Sequence, residues 1–524
     1  MSTTTSIGGI TLLFLLMIRW YRSVRSRSSI PYPPGPPGDF VLGNLRQMPT
    51  SYQWLTFADW GRKYGPLTYL NIVGKPFLVI NTQKAAVDLL EKKASIYSDR
   101  PRMMMIELTG FDEGTGFVRM GPAHRKHRKF LTQSLHPRVV ERDYVPLQER
   151  ITRKFAQLLL DTPDKFVDHF HRAAGEAVQV ITYGEFSDGQ VDFVDLGREN
   201  VGNLGPIISG YLVDFLPWLA YLPEWVPGTG FKQEVKRIKA VLQEAQWTPY
   251  NMVKSKVAAG TASSSFVRSA LEASTPDNLD EGIISSAANT LFGAGSETIS
   301  MTLCTFILAM LLYPDVQARA RAEIDRVIEE DRLPTFASKD TTPYLNAVIL
   351  ETLRWHPSVP NGIPHRVVQD DVYEGRLIPA GTTVFVNAWG ILHDENHFPD
   401  PMTFNPDRFL HPKGSSEQNG EGQNKSDAII DPWDVAFGYG RRICVGIPVA
   451  RSGLWLAMAT ILACFDIRPK IDPKTMKPIL PEARWTGNST SAPMPFVCDI
   501  IPRSRAHAER IRETVAEDVR AMKV

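Results

Sequence analysis

The chain has 524 residues, of which 43% are hydrophobic and 22% charged, with 58 basic against 57 acidic side chains. That length allows a large core, and the balanced charge argues against a nucleic acid partner, since phosphate binding needs a basic excess on one face. Only four cysteines occur, none in a Cys-x-x-Cys pair, so neither a disulfide framework nor a zinc site is expected.

Residues 1–30 are predicted to form a membrane anchor followed by a basic flank. Residues 2–18 carry no charge, and four arginines follow them between positions 19 and 27. As a helix, this uncharged stretch spans about 25 Å, at the short end for a bilayer. The basic residues follow the apolar stretch, which places the rest of the chain in the cytosol. A cleaved signal peptide is the alternative, but its basic residues would precede the apolar stretch.

The proline-rich segment after the anchor, residues 31–38, is predicted to be a stiff hinge. Residues 39–524 are then expected to form one domain. Within it, residues 412–427 are polar and of low complexity, which predicts a loop.

The domain begins with a strand pattern and continues with a helical one. Strands at 67–72 and 77–80 are expected to form a hairpin, and a helix is expected from 82 to about 93. The pattern that follows is mostly helical, with short strands near 366–386 and 495–501.

Residues 206–228 are apolar and aromatic, and three prolines prevent one spanning helix. Trp218, Tyr221 and Trp225 suit a membrane–water boundary. A buried pair of short helices with a loop fits the composition equally well.

Residues 283–312 predict a long helix that ends before Pro314. Gly293 and Gly295 lie in its middle, and each destabilises a helix by about 1 kcal/mol relative to alanine. A long helix with this penalty is expected to bend around a ligand. Glu297 and Thr298 follow, and a carboxylate beside a hydroxyl can relay protons to a buried site. Taken alone, the segment fits a glycine kink with a solvated glutamate better.

Glu351 and Arg354 are spaced as an i,i+3 acid–base pair on a predicted helix, which by itself contributes only a few tenths of a kcal/mol. About 50 residues later, Arg408 lies in an aromatic, proline-rich segment.

Cys444 lies in Phe-Gly-Tyr-Gly-Arg-Arg-Ile-Cys-Val-Gly, residues 437–446, directly before an apolar helix. The glycines allow unusual torsions, and a thiolate at a helix start is expected to have a depressed pKa. Such a sulfur suits a soft metal centre such as haem iron. For an arbitrary cysteine, a small buried apolar residue is the commoner role.

Together these segments resemble the cytochrome P450 superfamily, in their order and over most of the chain. The anchor and hinge resemble its microsomal, eukaryotic branch. The amino-acid sequences of several motifs resemble those of fungal enzymes of secondary metabolism. The resemblance implies a mainly α prism with a small β-rich lobe, with residues 39–524 as a haem-thiolate catalytic domain. It also implies that Glu351, Arg354 and Arg408 form a buried structural triad behind the haem.

The resemblance assigns haem b as cofactor, with the Cys444 thiolate as the axial ligand of its iron. The cofactor-binding residues it implies are His124, Arg128, His365, Phe437, Arg442, Cys444 and Gly446. Arg128 matches the family's propionate-binding arginine, whereas His124 stands where the family usually has a tryptophan. Glu297 and Thr298 are the implied catalytic pair, which delivers protons for oxygen activation.

The implied function is monooxygenation of a lipophilic small molecule, such as a terpenoid, with O2. Electrons are expected from NADPH through NADPH–cytochrome P450 reductase, at the endoplasmic reticulum membrane with the catalytic domain in the cytosol. Substrate contacts are expected from five segments, which are residues 103–117, 207–215, 292–294, 359–363 and 485–490. Two alternatives are a haem-thiolate isomerase or dehydratase that needs no reductase, and a non-catalytic haem protein.

Overall fold

The computed structural model describes residues 30–185, 193–275, 279–328, 332–410 and 429–521. The predicted anchor, apart from its last residue, and the predicted loop at 412–427 lie outside the described residues.

The predicted fold class, mainly α with a small β-rich lobe, is confirmed. The α-helices are, in chain order, α1 (Gln53–Tyr64), α2 (Gln83–Ala86), α3 (Ala94–Tyr97), α4 (Met104–Thr109), α5 (Pro122–Ser134), α6 (Pro137–Val139), α7 (Val145–Asp161), α8 (Phe166–Tyr183), α9 (Phe193–Gly202), α10 (Leu204–Ser209), α11 (Leu212–Phe215), α12 (Phe231–Ala258), α13 (Phe266–Glu272), α14 (Glu281–Leu312), α15 (Pro314–Val327), α16 (Pro343–Trp355), α17 (Ala388–Leu392), α18 (Trp433–Ala436), α19 (Ile447–Cys464) and α20 (Arg505–Ala521). Short 3-10 and π turns join them at Leu45–Gln47, Val87–Lys92, Phe111–Glu113, Val140–Tyr144, Pro163–Lys165, Pro217–Tyr221, Phe336–Thr341, Pro406–Phe409 and Gly440–Arg442.

The strands form one four-stranded sheet and three two-stranded ones within the described residues. The strands are β1 (Leu67–Ile72), β2 (Lys75–Ile80), β3 (His365–Arg366), β4 (Asp371–Tyr373), β5 (Arg376–Ile378), β6 (Thr383–Val386), β7 (Phe465–Arg468), β8 (Lys470–Ile471), β9 (Pro478–Ile479) and β10 (Asp499–Pro502). The larger sheet has the order β1-β2-β6-β3, in which only the β2–β6 pair is parallel. The smaller sheets pair β4 with β5, β7 with β10 and β8 with β9.

The predicted hairpin and the helix after it are both present. β1 and β2 pair in antiparallel register from Leu67 opposite Ile80 to Ile72 opposite Lys75. Thr82 caps the next helix by accepting a hydrogen bond from the Ala85 N–H, and the helical path continues as a π turn to Lys92.

The long predicted helix is α14, and it runs through the middle of the fold. The Asp280 side chain caps it, and its C-terminal half lies in the main hydrophobic core with α15, α16 and α19. The helix continues through its two central glycines, and they serve packing. A Cβ on Gly293 would lie 2.5 Å from a Val201 methyl, and one on Gly295 would lie 2.9 Å from a Val178 methyl. The glycines therefore let α8 and α9 approach α14 closely.

Two described helices, α14 and α19, are long and apolar enough to cross a membrane by length and composition. Most of each is buried inside the protein, which fits helices of the core.

The proline hinge is docked on the domain. The Leu377 N–H donates to the Pro31 carbonyl at 2.9 Å, and the Tyr69 N–H donates to the Pro34 carbonyl at 2.9 Å. The Tyr32 and Tyr69 rings stack with centroids 4.8 Å apart. These contacts hold residues 31–34 against β1 and β5.

Candidate active site

The loop before α19 is folded so that it presents the Cys444 sulfur. Gly438 and Gly440 adopt φ angles of +77° and +56°, in the left-handed region that disfavours other residues. A Cβ on Gly440 would clash with the Leu90 carbonyl oxygen. The Cys444 N–H donates to the Phe437 carbonyl at 2.8 Å, which closes the loop. The predicted glycine-bent loop is thus present.

The Cys444 side chain is exposed to open space, although surrounding protein raises the pKa of its thiol through burial. The sulfur therefore borders a cavity inside the molecule. The Gly446 N–H, 3.3 Å away, and the charge of Arg128 oppose the rise. The expected depressed pKa is wrong for the protein alone, because desolvation outweighs the helix start and the cation. A soft metal ion would deprotonate this sulfur on binding.

The middle of α14 borders open space as well. Ala294 is exposed, although most residues of this helix are buried. The Thr298 hydroxyl donates to the Ala294 carbonyl at 2.9 Å. Thr298 therefore lies one turn from the exposed position, with its hydroxyl directed to that turn.

A cluster of basic side chains, arginines and histidines, lies beside the Cys444 loop. Arg100, His124 and His365 are 4%, 4% and 6% exposed. Arg442 and Arg128 act on His124 electrostatically, and Arg442 acts on Arg100 and His365. The structure thus brings together His124, Arg128, His365 and Arg442, which are far apart in the sequence.

This cluster has more basic groups than acidic ones. Asp99 acts on Arg100 and Arg442, but it also pairs with Arg366 at 3.4 Å. Burial, then neighbouring arginines, lowers the pKa of His124 to about 3. Burial lowers the pKa of Arg442 to about 10. Buried positive charge without matching acid is unfavourable, so the cluster suits a ligand with carboxylates.

One buried nitrogen in this cluster points to a ligand directly. The Nε2 atom of His124 is buried and has no hydrogen-bond partner within the described part of the chain. By contrast, Arg442 already donates to the carbonyls of Ser98 and Val118, at 2.8 and 2.7 Å. Arg442 therefore also holds the segments that contain Ser98 and Val118 against the Cys444 loop.

Arg100 is the cluster member that the sequence reasoning missed. Its guanidinium donates to the carbonyls of Gly116, Ile363 and Pro364, each at 2.7 Å. A single arginine in a coil segment carries no pattern, and its burial depends on these long-range contacts. The weak signal in the sequence is that Arg100 precedes a proline in a segment that leads into the apolar run at 103–106.

Glu297 faces α8. His171 Nδ1 lies 3.4 Å from Glu297 Oε2. Burial raises the pKa of Glu297, and it lowers the pKa of His171 to about 4. Glu297 and Thr298 are neighbours in the chain, but their side chains contact different parts of the structure.

The predicted buried triad is assembled. Arg354 donates to both carboxylate oxygens of Glu351, at 2.6 and 2.8 Å, and both side chains are fully buried. Arg408 Nε lies 3.3 Å from the same carboxylate. The Asn405 N–H also donates to it, at 2.7 Å. The triad ties α16 to the turn at Pro406–Phe409.

Of the expected substrate segments, residues 103–117 line a cavity of about 490 Å³. The opposite wall comes from the start of α14, at 280–286, and not from residues 292–294. Glu107, Asp112 and Asp280 are among its lining residues, so this cavity is more acidic than the expected apolar pocket.

Comparisons with known proteins agree with this geometry. The family model described as Cytochrome P450 matches residues 33–487. Cytochrome P450 monooxygenase claR of Ampulloclitocybe clavipes is 37% identical over 523 residues, covering 98% of this chain and 94% of its own length. Cytochrome P450 monooxygenase 98 of Postia placenta is 36% identical over 494 residues, covering 92% of each chain. Cytochrome P450 monooxygenase COX1 of Coprinopsis cinerea is 34% identical, covering 92% of this chain and 94% of its own.

Proposed function

Because the chain belongs to the cytochrome P450 family and its relatives are monooxygenases, we propose that it oxidises a lipophilic small molecule, a terpenoid or related secondary metabolite. The family's cofactor is haem b with an axial cysteine thiolate. The observation that carries the proposal is the exposed Cys444 sulfur beside a buried cluster of arginine and histidine side chains.

The residues of the site fit this cofactor. Cys444 would supply the axial thiolate, and Phe437 and Gly446 flank it in the loop that presents it. The two propionate carboxylates of a haem would offset the buried positive charge of Arg100, Arg128 and Arg442, and His124 Nε2 offers an unused donor to one of them. His365 is held through Nδ1 by the Tyr97 carbonyl at 2.9 Å, which leaves Nε2 for the same purpose. When bound, haem supplies an iron centre at which dioxygen is activated with two electrons.

The chain's own contribution to catalysis is the control of protons and water. Thr298 would hold a proton one turn from the exposed Ala294, at the hydroxyl that now donates to the Ala294 carbonyl. Glu297 has a pKa raised by burial, which brings a carboxyl closer to the range in which it can exchange protons at neutral pH.

Electrons must come from a separate protein, and we take this to be NADPH–cytochrome P450 reductase. Arg125, Lys129 and Arg441 are exposed, on α5 and on the Cys444 loop. Both segments contribute to the site, so these basic residues mark a face where an acidic partner surface would come near the cofactor.

The protein is proposed to lie on the endoplasmic reticulum membrane, anchored through residues 1–30. Trp218, Tyr221 and Trp225 are 55%, 84% and 82% exposed, which favours a position of this segment at the membrane–water boundary. Two contacts tie the chain on either side of Gly74 to Leu42 and to Asp214, which precede β1 and the aromatic segment. The Val73 N–H donates to the Leu42 carbonyl at 3.2 Å, and Lys75 Nζ donates to the Asp214 carbonyl at 2.5 Å.

The membrane proposal can be tested without the anchor. A protein that begins at residue 31 should float with phospholipid vesicles, and replacing Trp218 and Trp225 with serine should reduce the floated fraction. Equal flotation of the two proteins would show that the aromatic segment does not bind lipid.

A ligand titration tests the proposed substrate class. Ferric protein is titrated with sesquiterpenes, diterpenes, indoles, fatty acids and polyketides, while the low-spin to high-spin shift of the Soret band is followed. The account predicts a saturable shift with a terpenoid. A shift with indoles or fatty acids alone would overturn the terpenoid assignment but leave the monooxygenase assignment intact.

A further inference from the structure

The contact between Glu297 and His171 joins the candidate proton donor of α14 to a titratable group on α8. We propose that His171 is the residue through which solvent protons reach Glu297. The proposal rests on the function proposed above, and it adds a positioning and relay residue on a helix that carries no recognised motif of the site.

The position of His171 suits an entry point. Its side chain is 16% exposed and that of Glu297 is 20% exposed, so both are shielded but neither is sealed from water. One turn before His171 on α8 lies Asp168, which pairs with Arg198 of α9 at 3.6 Å. The side chains of Asp168 and Arg198 are 66% and 50% exposed. Asp168 and Arg198 both act on the His171 imidazole electrostatically, so this solvated pair lies close to it.

The surrounding charges define the resting protonation state. Burial and Arg198 lower the pKa of His171 to about 4, and Asp168 opposes them. Burial raises the pKa of Glu297, which Arg198 opposes, and Glu297 in turn raises the pKa of the buried Cys304 thiol on its own helix. Near neutral pH the imidazole is thus uncharged, and in the tautomer protonated at Nδ1 its N–H would face the carboxylate oxygen 3.4 Å away.

An uncharged imidazole in this tautomer can pass a proton without keeping a charge. One proton enters at Nε2 from water, and the Nδ1 proton leaves for Glu297 Oε2. The products are a neutral imidazole in the other tautomer and a protonated carboxyl, so protons and charge balance. After Glu297 has passed its proton on, a reverse shift through water restores the starting tautomer.

A purely structural role for His171 predicts a different outcome on substitution. Glutamine keeps an N–H donor toward Glu297 but cannot accept a proton at one end and release it at the other. Alanine removes both properties. If the residue only holds the carboxylate in place, glutamine should restore normal behaviour, whereas a relay requires histidine.

The experiment compares His171→Gln and His171→Ala with a matched control on the same helix. His169→Gln is that control, because His169 is buried and bonds to Thr162 through Nε2, at 2.8 Å to the hydroxyl. All proteins are the full chain with haem, and each is first checked for the thiolate-type carbon monoxide spectrum. Two quantities are measured, namely the pH midpoint of the Glu297 carboxyl infrared band and the solvent isotope effect on NADPH oxidation with reductase in excess. The Glu297→Gln variant assigns the band by its loss.

The relay predicts that His171→Ala raises the midpoint of the Glu297 band by about one pH unit, and that glutamine largely restores it. It also predicts that His171→Ala and His171→Gln oxidise NADPH at least about tenfold more slowly, with a larger solvent isotope effect. His169→Gln should match the wild type. Wild-type rate and isotope effect in His171→Gln would overturn the proposal, as would an unmoved band in His171→Ala. Absence of the carbon monoxide spectrum from the wild type would instead overturn the proposed function.

Discussion

Burial determines the charge of individual side chains in this protein, and His356 is a clear example. It is 2% exposed, its ring stacks on Trp485 with centroids 4.4 Å apart, and its Nε2 lies 2.7 Å from the Ser491 hydroxyl. Burial lowers its pKa to about 3. The folded state therefore holds the uncharged form over a pH range in which the unfolded chain binds a proton.

This gives a pH dependence of stability with a definite sign. Between pH 6.5 and about 3 the unfolded state binds the extra proton, so stability should fall as the pH falls, by about 1.4 kcal/mol per pH unit from His356. His356→Gln should flatten the pH profile of the unfolding free energy by that amount. A slope in His356→Gln identical to that of the wild type would show that His356 is charged in the folded protein.

The sequence predicted those site residues whose motifs have a fixed local spacing. Cys444 and its glycines lie in one segment, and Glu351, Arg354 and Arg408 are identified by two short motifs. Arg100 escaped prediction because nothing in its neighbours along the chain distinguishes a buried arginine from a solvated one. The contact of Glu297 with His171 depends on how α8 lies against α14, which no local pattern records.

At the scale of elements, the glycines of α14 fix how closely its neighbours approach. Gly295→Ala should gain about 1 kcal/mol of helix propensity but lose about 1–3 kcal/mol through the clash with the buried Val178. A net loss of stability is therefore expected in denaturant unfolding. Val178→Ala in the same chain should recover part of it.

Gly205 of α10 provides the matched control, since nothing lies within 4 Å of a Cβ built there. Gly205→Ala should change the unfolding free energy by less than about 1 kcal/mol. If Gly295→Ala proved as harmless as this control, the glycines of α14 would serve something other than close packing.

Element positions were predictable where the periodicity is strong, as in the β1–β2 hairpin and in α14. The proline hinge was predicted only as a spacer. Its docking on β1 and β5 relies on backbone hydrogen bonds from residues distant in sequence, Tyr69 and Leu377. Residues 206–228 form the end of α10, α11 and a 3-10 turn. α10 ends before Gly210, whose φ is +99°, and α11 ends before Pro217.

At the scale of the whole molecule, the fold brings segments from residue 100 to residue 446 around one sulfur. The basic side chains of the cluster come from the segment before α4, from α5, from β3 and from the Cys444 loop, and each belongs to a different part of the chain. Sequence alone predicted the cofactor but not the balance of charge at its site, which depends on all these segments together.

The carbon monoxide spectrum of the reduced protein tests the central claim most directly. With Cys444 as the thiolate ligand of haem iron, the wild type should show a strongly red-shifted Soret band, and Cys444→Ala should lose it. Cys464→Ala, at the far end of α19, should keep the band because that thiol is buried in the core. Absence of the band from the wild type, or its survival in Cys444→Ala, would contradict the account.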